Sequence, residues 1–334
     1  MPGNRQIIVR GRPTCIPQAE HFELVDGNMP FAGAGEILIR NLFLSVDPAM
    51  RGWLADTSNY SQPIAIGSVM RSLAVGEVVE SNAPAFAAGE RVMGWFGWQQ
   101  FAATTPDAVI RKVEDRDLSP SLALGVLGLN GVTALLGLEK VARPTAGDTV
   151  VVSTAAGAVG SAVGQIAKLL GCRTVGITGG AEKLAICRDE FGYDVAIDYQ
   201  APGLDQALAN VCPQGANVYF DNTAGPISDT VYRNLALHAR VVTCGTASVS
   251  SWNPVPTGPR IERIVMTRRA QIGGFVVLDY MDEFQPAGAR LAQWVREGKL
   301  KYREEIVDGI ENCPGAIADL YEGRNLGKRL IRLV

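Results

Sequence analysis

Between Thr149 and Leu170 three stretches of different character follow one another. Thr149-Val150-Val151-Val152-Ser153 is a short β-branched run, Ala155-Ala156-Gly157-Ala158-Val159-Gly160 is built of small residues, and Ser161 to Leu170 is rich in Ala, Ile and Leu. The first reads as a buried strand and the third as a helix. A turn of small residues between them lets backbone N–H groups approach a pyrophosphate, while the helix start adds unpaired amides and the positive end of its dipole. Ala155, Gly157 and Gly160 take the three small-residue places, with Ala158 and Val159 between them. Gly164, one turn on, is expected to let the helix pack close to the sheet. Such a turn alone would serve simple packing equally well; its position between strand and helix is what favours a dinucleotide.

The end of the next strand selects among dinucleotides. An NAD site places Asp or Glu there to accept the ribose 2′-OH. This chain reads Thr178-Gly179-Gly180-Ala181-Glu182-Lys183. Gly179 and Gly180 stand where the acid would be, leaving room for a 2′-phosphate, and Lys183 can meet it as a point charge. The expected cofactor is NADPH. The alternative, with Glu182 on the ribose and Lys183 solvated, stays open at this level.

Metal chemistry has little to draw on. The chain has two histidines, His21 and His238, and its six cysteines include no pair at CxxC spacing, so neither a structural nor a catalytic zinc set is expected. His21 reads as solvated and His238 as a helix-terminal residue. Without a metal to polarise it, an unactivated ketone needs another electrophile. Conjugate addition of hydride to an enone or enal is easier, because the enolate oxygen needs only a few hydrogen-bond donors. Quinones accept hydride with equally little help, and a non-catalytic NADPH-binding protein is a third reading.

These residues must be held by a fold of some size. A chain of 334 residues exceeds one ordinary core, and two domains are expected. Up to about Lys112 short β-rich runs such as Ile37 to Arg40 and Gly76 to Glu80 are broken by Gly, Pro and Asn. Leu122 to Val141 reads as a helix. Thereafter strands expected at Thr149 to Ser153, Thr174 to Thr178, Val195 to Ile197, Val218 to Phe220, Arg240 to Cys244 and Gln271 to Phe275 alternate with helices, the pattern of an α/β doubly wound parallel sheet. Extended segments at Glu304 to Asp308 and Arg329 to Leu333 are expected to rejoin the first unit. The division is therefore 1–122 with 301–334, and 123–300. A net charge of −3 offers no bias toward nucleic acid. Residues 1–12 lack a signal-like apolar run and no later segment has the length of a membrane span, so a cytoplasmic protein with reduced thiols is expected.

Longer stretches extend the reading. Ser45-Val46-Asp47-Pro48-Ala49-Met50-Arg51-Gly52, the turn Ala155 to Gly164 with Gln165-Ile166-Ala167-Lys168, Gly179 to Lys183, Asp198-Tyr199, Phe220-Asp221-Asn222, Cys244-Gly245, Asp279-Tyr280 and Asn325-Leu326-Gly327-Lys328 span nearly the whole chain. In these the chain resembles the zinc-independent medium-chain dehydrogenases/reductases, in particular the prostaglandin reductases, leukotriene B4 dehydrogenases, plant double-bond reductases and bacterial curcumin reductase-like enzymes. The resemblance implies a discontinuous GroES-like catalytic domain joined to a Rossmann domain, NADPH as cofactor, a small apolar conjugated carbonyl substrate and a homodimer. It further implies Lys183 and Tyr199 at the 2′-phosphate end, Asn222 and Cys244 along the cofactor, Phe275 to Val277 beside the nicotinamide, and Asn325 as a hydrogen-bonding residue from the C-terminal segment.

Two positions depart from these relatives. Many carry a tyrosine where this chain has Trp252, and plant members a tyrosine where it has Ala49. An indole N–H donates a hydrogen bond but does not serve as a proton-transfer acid. Tyr60 and Tyr280 are further candidates beside the substrate, and Met50 is expected to shape its pocket with Ala49. The expected chemistry is hydride addition to the β-carbon, with the oxygen held by the nicotinamide ribose hydroxyl and by Trp252 or Tyr60, and protonation by water.

Overall fold

In a computed structural model, residues 3–56, 61–249 and 251–333 are described. Fifteen strands run along them: β1 (Asn4–Val9), β2 (Phe22–Gly27), β3 (Ile37–Ser45), β4 (Ala74–Ser81), β5 (Arg91–Gly94), β6 (Phe101–Thr104), β7 (Val109–Lys112), β8 (Thr149–Ser153), β9 (Arg173–Thr178), β10 (Val195–Asp198), β11 (Ala216–Asp221), β12 (Leu235–Thr243), β13 (Gln271–Gly274), β14 (Glu304–Asp308) and β15 (Lys328–Arg332). The chain divides into two compact units, residues 1–125 with 304–334 and residues 126–303.

The first unit is strand-rich. A sheet in the order β14-β15-β3-β4-β5-β7, with β6 also paired to β3, stands beside the antiparallel pair β1-β2. Its discontinuity in sequence has a direct cause: β15 pairs antiparallel with β3, Leu330 opposite Ser45, so the C-terminal strands complete a sheet begun by the N-terminal ones. Ile37, Ile39, Leu44, Val78, Trp98 and Ile331 bury their apolar surface in one core. The short helix α1 (Ala49–Leu54) lies over that core through Met50, Trp53 and Leu54.

The second unit holds a six-stranded parallel sheet in the order β10-β9-β8-β11-β12-β13. This is the doubly wound Rossmann order, whose direction of growth reverses between β8 and β11. Val150, Val151 and Val152 of the central strand have no exposed surface, and each contributes about 1.5–3 kcal/mol by leaving water. The helices of this unit are α2 (Leu129–Gly137), α3 (Ala158–Leu169), α4 (Ala181–Ala185), α5 (Leu204–Val211), α6 (Gly225–Arg233), α7 (Glu262–Arg268) and α8 (Phe284–Arg296); α9 (Cys313–Tyr321) belongs to the first unit. No described helix is long and apolar enough to cross a membrane.

Three local expectations are corrected. The helix expected over 122–141 is broken into a 3₁₀ turn at Pro120–Leu124, α2, and a π-turn at Leu138–Ala142. The break falls at Gly125 and Gly128, whose backbones are non-helical (φ −118°, ψ −113° and φ −116°, ψ −147°) and end the first turn before α2 begins. His238 ends no helix. It is an exposed residue inside β12 with φ +60°, at a kink that the apolar pattern of the strand does not reveal. The third correction concerns Gly164 and belongs to the site.

Candidate functional site

The turn after β8 is held from below by close packing. Thr154 adopts φ +54°, a conformation that favours glycine, and its carbonyl accepts the Gly157 amide at 2.9 Å. A Cβ on Gly160 would lie 2.2 Å from that same carbonyl oxygen, so only glycine fits there. Ala155 is fully buried, and Gly176 of β9 leaves space for its methyl group, since a Cβ on Gly176 would come within 2.7 Å of it. Gly164 makes room for a side chain, in contrast to the expectation that it brings the helix onto the sheet. A Cβ there would sit 2.1 Å from the ring of Tyr193, and the Tyr193 hydroxyl donates to the Gly160 carbonyl at 2.6 Å. Burial pushes the Tyr193 phenol well above its ordinary range, so the hydroxyl stays a donor.

Gly157 caps α3 without a side-chain partner, and the first intrahelical bond runs from the Ser161 amide to the Gly157 carbonyl. The amides of Ala158, Val159 and Gly160 therefore have no acceptor within the helix and point out of its N-terminus. These are the donors that a pyrophosphate needs. Further along α3 the Gln165 side chain exchanges two bonds with the backbone of Lys301, at 2.8 and 2.7 Å, which fixes the far half of the helix.

The remaining second-unit positions gather at the same carboxyl edge, because each follows the end of a parallel strand. After β9, Gly180 has φ +84° and open space where a side chain would stand, and Gly179 lies against the Tyr199 ring, within 2.9 Å of a built Cβ. Lys183 is half-buried on α4. The nearby carboxylate, Asp198, is directed at the amides of Gly180 (3.3 Å) and Gln200 (2.9 Å). After β11, Asn222 reaches across the switch point, its side-chain amide donating to the Ser153 carbonyl at 2.8 Å while the Ser153 hydroxyl donor-acceptor group receives its backbone N–H at 2.9 Å. After β12, the Cys244 thiol is pushed up to about 12 by desolvation and, secondarily, by the Asp221 charge; it is a neutral group. After β13, the buried Phe275 stacks on Tyr280 with centroids 5.4 Å apart, Lys140 lies over the outer ring at 5.8 Å, and Val277 is buried beside them.

The other candidates lie in the loop after β12, in the first unit, or outside the described residues. Trp252 is 54% exposed in the loop after β12. Tyr60 lies outside the described residues. In the first unit, Ala49 is partly buried on α1, whereas Met50 has no exposed surface and packs in the core. Any part Met50 takes in shaping a substrate pocket is therefore from behind its wall. Asn325 uses its side-chain amide on the Gly327 carbonyl at 2.9 Å. Among the described residues no three His, Cys, Asp or Glu side chains form a group able to hold a metal ion.

Residues that sequence reasoning missed are Tyr193, Gly176, Gly245 and Asp221. A Cβ on Gly245 would meet the Asn222 carbonyl at 2.8 Å, so the loops after β11 and β12 touch there. Gly245 carried a signal as the small residue after a strand and Asp221 as part of Phe220-Asp221-Asn222; Tyr193 and Gly176 carried none, since their partners Gly160 and Ala155 are far away in sequence.

A doubly wound sheet with a small-residue turn at its switch point and open helix amides above it defines a dinucleotide-binding protein. Residues 5–113 match the family model described as the N-terminal domain of oxidoreductase, and residues 158–293 the model described as zinc-binding dehydrogenase. The chain is 39% identical to the NADPH-dependent curcumin reductase of Escherichia coli (strain K12), over 99% of this chain and 97% of that enzyme. It is 34% identical to the NADP(+)-dependent 2-alkenal reductase of Nicotiana tabacum, over 98% and 97%. The crystal structure of CurA in complex with NADPH from Vibrio vulnificus superposes with a TM-score of 0.93 at 39% identity, covering 99% of both chains. The chain belongs to the zinc-independent medium-chain dehydrogenase/reductase family, in its curcumin reductase and prostaglandin reductase group.

Proposed function

We propose that this chain reduces the carbon–carbon double bond of α,β-unsaturated ketones or aldehydes, with NADPH as the cofactor. The observation that carries the cofactor is the end of β9, where Gly179 and Gly180 replace an acid, open space adjoins Gly180, and Lys183 follows on α4. The residues present fit a dinucleotide: amides at the start of α3 for the pyrophosphate, and for a 2′-phosphate an edge with Gly179 and Gly180 in the place of the ribose-binding acid and Lys183 beyond them. The reaction class is supported by the curcumin and alkenal reductases to which the chain is similar from end to end.

When bound, NADPH supplies the hydride. The protein's part is to hold both ends of the cofactor, to pack Phe275 and Val277 on one side of its path, and to offer a donor for the oxygen on which charge develops. Trp252 is the proposed donor, through its indole N–H, and Tyr60 a second. The solvent supplies the proton, since Trp252 is not an acid.

The test is NADPH oxidation with an enone, an enal, a quinone and a saturated aldehyde, with the products identified by mass. Saturation of the enone double bond with retention of the carbonyl is the expected result. Turnover of the quinone alone would replace this reading with a quinone reductase. NADPH binding without turnover of any of the four would make the chain a binding protein.

A further inference from the structure

Asp221, the last residue of β11, is 1% exposed and stands at the switch point without a place in the cofactor reading. One of its carboxylate oxygens, Oδ1, accepts from the amides of Thr223 and Ala224, both at 2.9 Å, and from the hydroxyls of Tyr219 at 3.1 Å and Thr223 at 3.3 Å. Its backbone carbonyl accepts the amides of Cys244 at 2.8 Å and Gly245 at 3.0 Å. A single residue thus ties the loop after β11 to the loop after β12. Tyr219 extends the tie into α6, where its hydroxyl pairs with that of Ser228 at 3.0 Å.

The loop so held is not in a relaxed conformation. Ala224 has φ +57° and ψ −164°, a region populated almost only by glycine, and Gly225 follows at φ +63°. A second clamp comes from the other side. The Ser248 hydroxyl lies 2.8 Å from the carbonyls of both Thr223 and Ala224, and its amide donates to Thr223 at 3.0 Å. Strain that persists under several independent restraints is a mark of a segment held for a purpose.

We infer that Asp221 is a positioning residue for dinucleotide binding, fixing the strained loop 222–225 and with it Asn222 at the mouth of the switch point. The inference rests on the NADPH reading above. Asp221 does not touch the cofactor; it acts through the backbone of Thr223 and Ala224, which no neutral side chain of the same size can hold with the same strength.

The test compares wild type with Asp221→Asn, Ser248→Ala and Val231→Ala by fluorescence titration with NADPH, alongside Tm and steady-state kinetics. Val231, on α6 with no exposed surface, is the control for stability loss alone. Loss of charge-assisted bonds predicts that Asp221→Asn weakens NADPH binding about tenfold, and Ser248→Ala about threefold, with the KM for the enone changed by less than about twofold. Val231→Ala should lower Tm and leave the NADPH Kd unchanged. A folded Asp221→Asn with wild-type affinity overturns the inference, as does equal loss of affinity in Val231→Ala at matched Tm. If Asp221→Asn does not fold, Ser248→Ala decides: an unchanged Kd overturns the inference and a weakened one supports it. A wild type that fails to bind NADPH removes the cofactor reading together with this one, whereas binding by wild type and Asp221→Asn alike removes this one alone.

Discussion

The Tyr193 hydroxyl donates to the Gly160 carbonyl at 2.6 Å, and the ring fills the space left by the missing side chain of Gly164. The last small residue of the phosphate turn is therefore held by a tyrosine 33 positions away. Tyr193→Phe keeps the ring and removes the bond, and we expect a loss of about 1 kcal/mol of stability with a modest rise in the KM for NADPH. Tyr193→Ala empties a buried aromatic site and should cost about 3–5 kcal/mol. Chemical denaturation of the two variants checks the order; equal losses would show that the bond, and not the packing, carries the effect.

Gly160 and Gly180 should respond differently to alanine although both belong to the proposed cofactor edge. At Gly160 the new methyl group meets backbone, the Thr154 carbonyl at 2.2 Å, which cannot swing away. At Gly180 it meets open space, and only the backbone conformation at φ +84° resists it. Gly160→Ala is therefore expected to abolish NADPH binding, while Gly180→Ala costs about 1 kcal/mol in stability. Isothermal titration and thermal melts on both variants make the comparison.

Lys183→Ala should lower the preference for NADPH over NADH. Loss of one charge-assisted contact to a 2′-phosphate is worth about 1.5–3 kcal/mol, or roughly tenfold to a hundredfold in kcat/KM for NADPH, with NADH little changed. Parallel kinetics with the two cofactors would reveal it. An equal fall with both would move Lys183 out of the phosphate site.

Trp252→Phe removes the indole N–H and keeps an aromatic ring. If that N–H holds the substrate oxygen, kcat for an enone falls by about fivefold with the KM for NADPH unchanged, the size of one neutral hydrogen bond. Unchanged turnover would end the proposed role. Trp252→Tyr, which introduces the tyrosine that the family resemblance leads one to expect here, should match or exceed the wild-type rate.

Alkaline stability should reflect two thiols, the buried Cys187 and the half-buried Cys244. Cys187 and Cys244 are each pushed up from near 9 to about 12, chiefly by desolvation. In the unfolded chain both would release their protons near the ordinary value, so above it the folded state binds more protons and the free energy of unfolding falls as pH rises. The contribution is complete below about pH 9 and is lost progressively toward pH 12. Cys187→Ala should flatten that slope in denaturation curves taken across the range.

Much of the second unit was legible from local pattern. All six strands expected from residue 149 to residue 275 form one parallel sheet, because short apolar runs such as Val150 to Val152 and Val218 to Phe220 mark its buried centre and small residues mark where the strands end. The segments at 304–308 and 329–333 likewise read as strands, and β14 and β15 lie there. The helix over 122–141 was misread because apolar composition persists through Gly125 and Gly128, where backbone freedom and not hydrophobicity sets the path. His238 was misread because a kink within a strand leaves no compositional trace.

The site divides in the same way. The sequence by itself determined the phosphate turn, the acid-free end of β9 and the poverty of metal ligands, since each depends on residue types close together in the chain. Only the tertiary structure decided that Tyr193 holds Gly160, that Gly176 admits Ala155, that Met50 is core, and that Asp221 joins two loops. Those relations are contacts between residues that the chain keeps apart and the fold brings side by side. Steric fit and burial arise from that neighbourhood, which no short stretch of sequence contains.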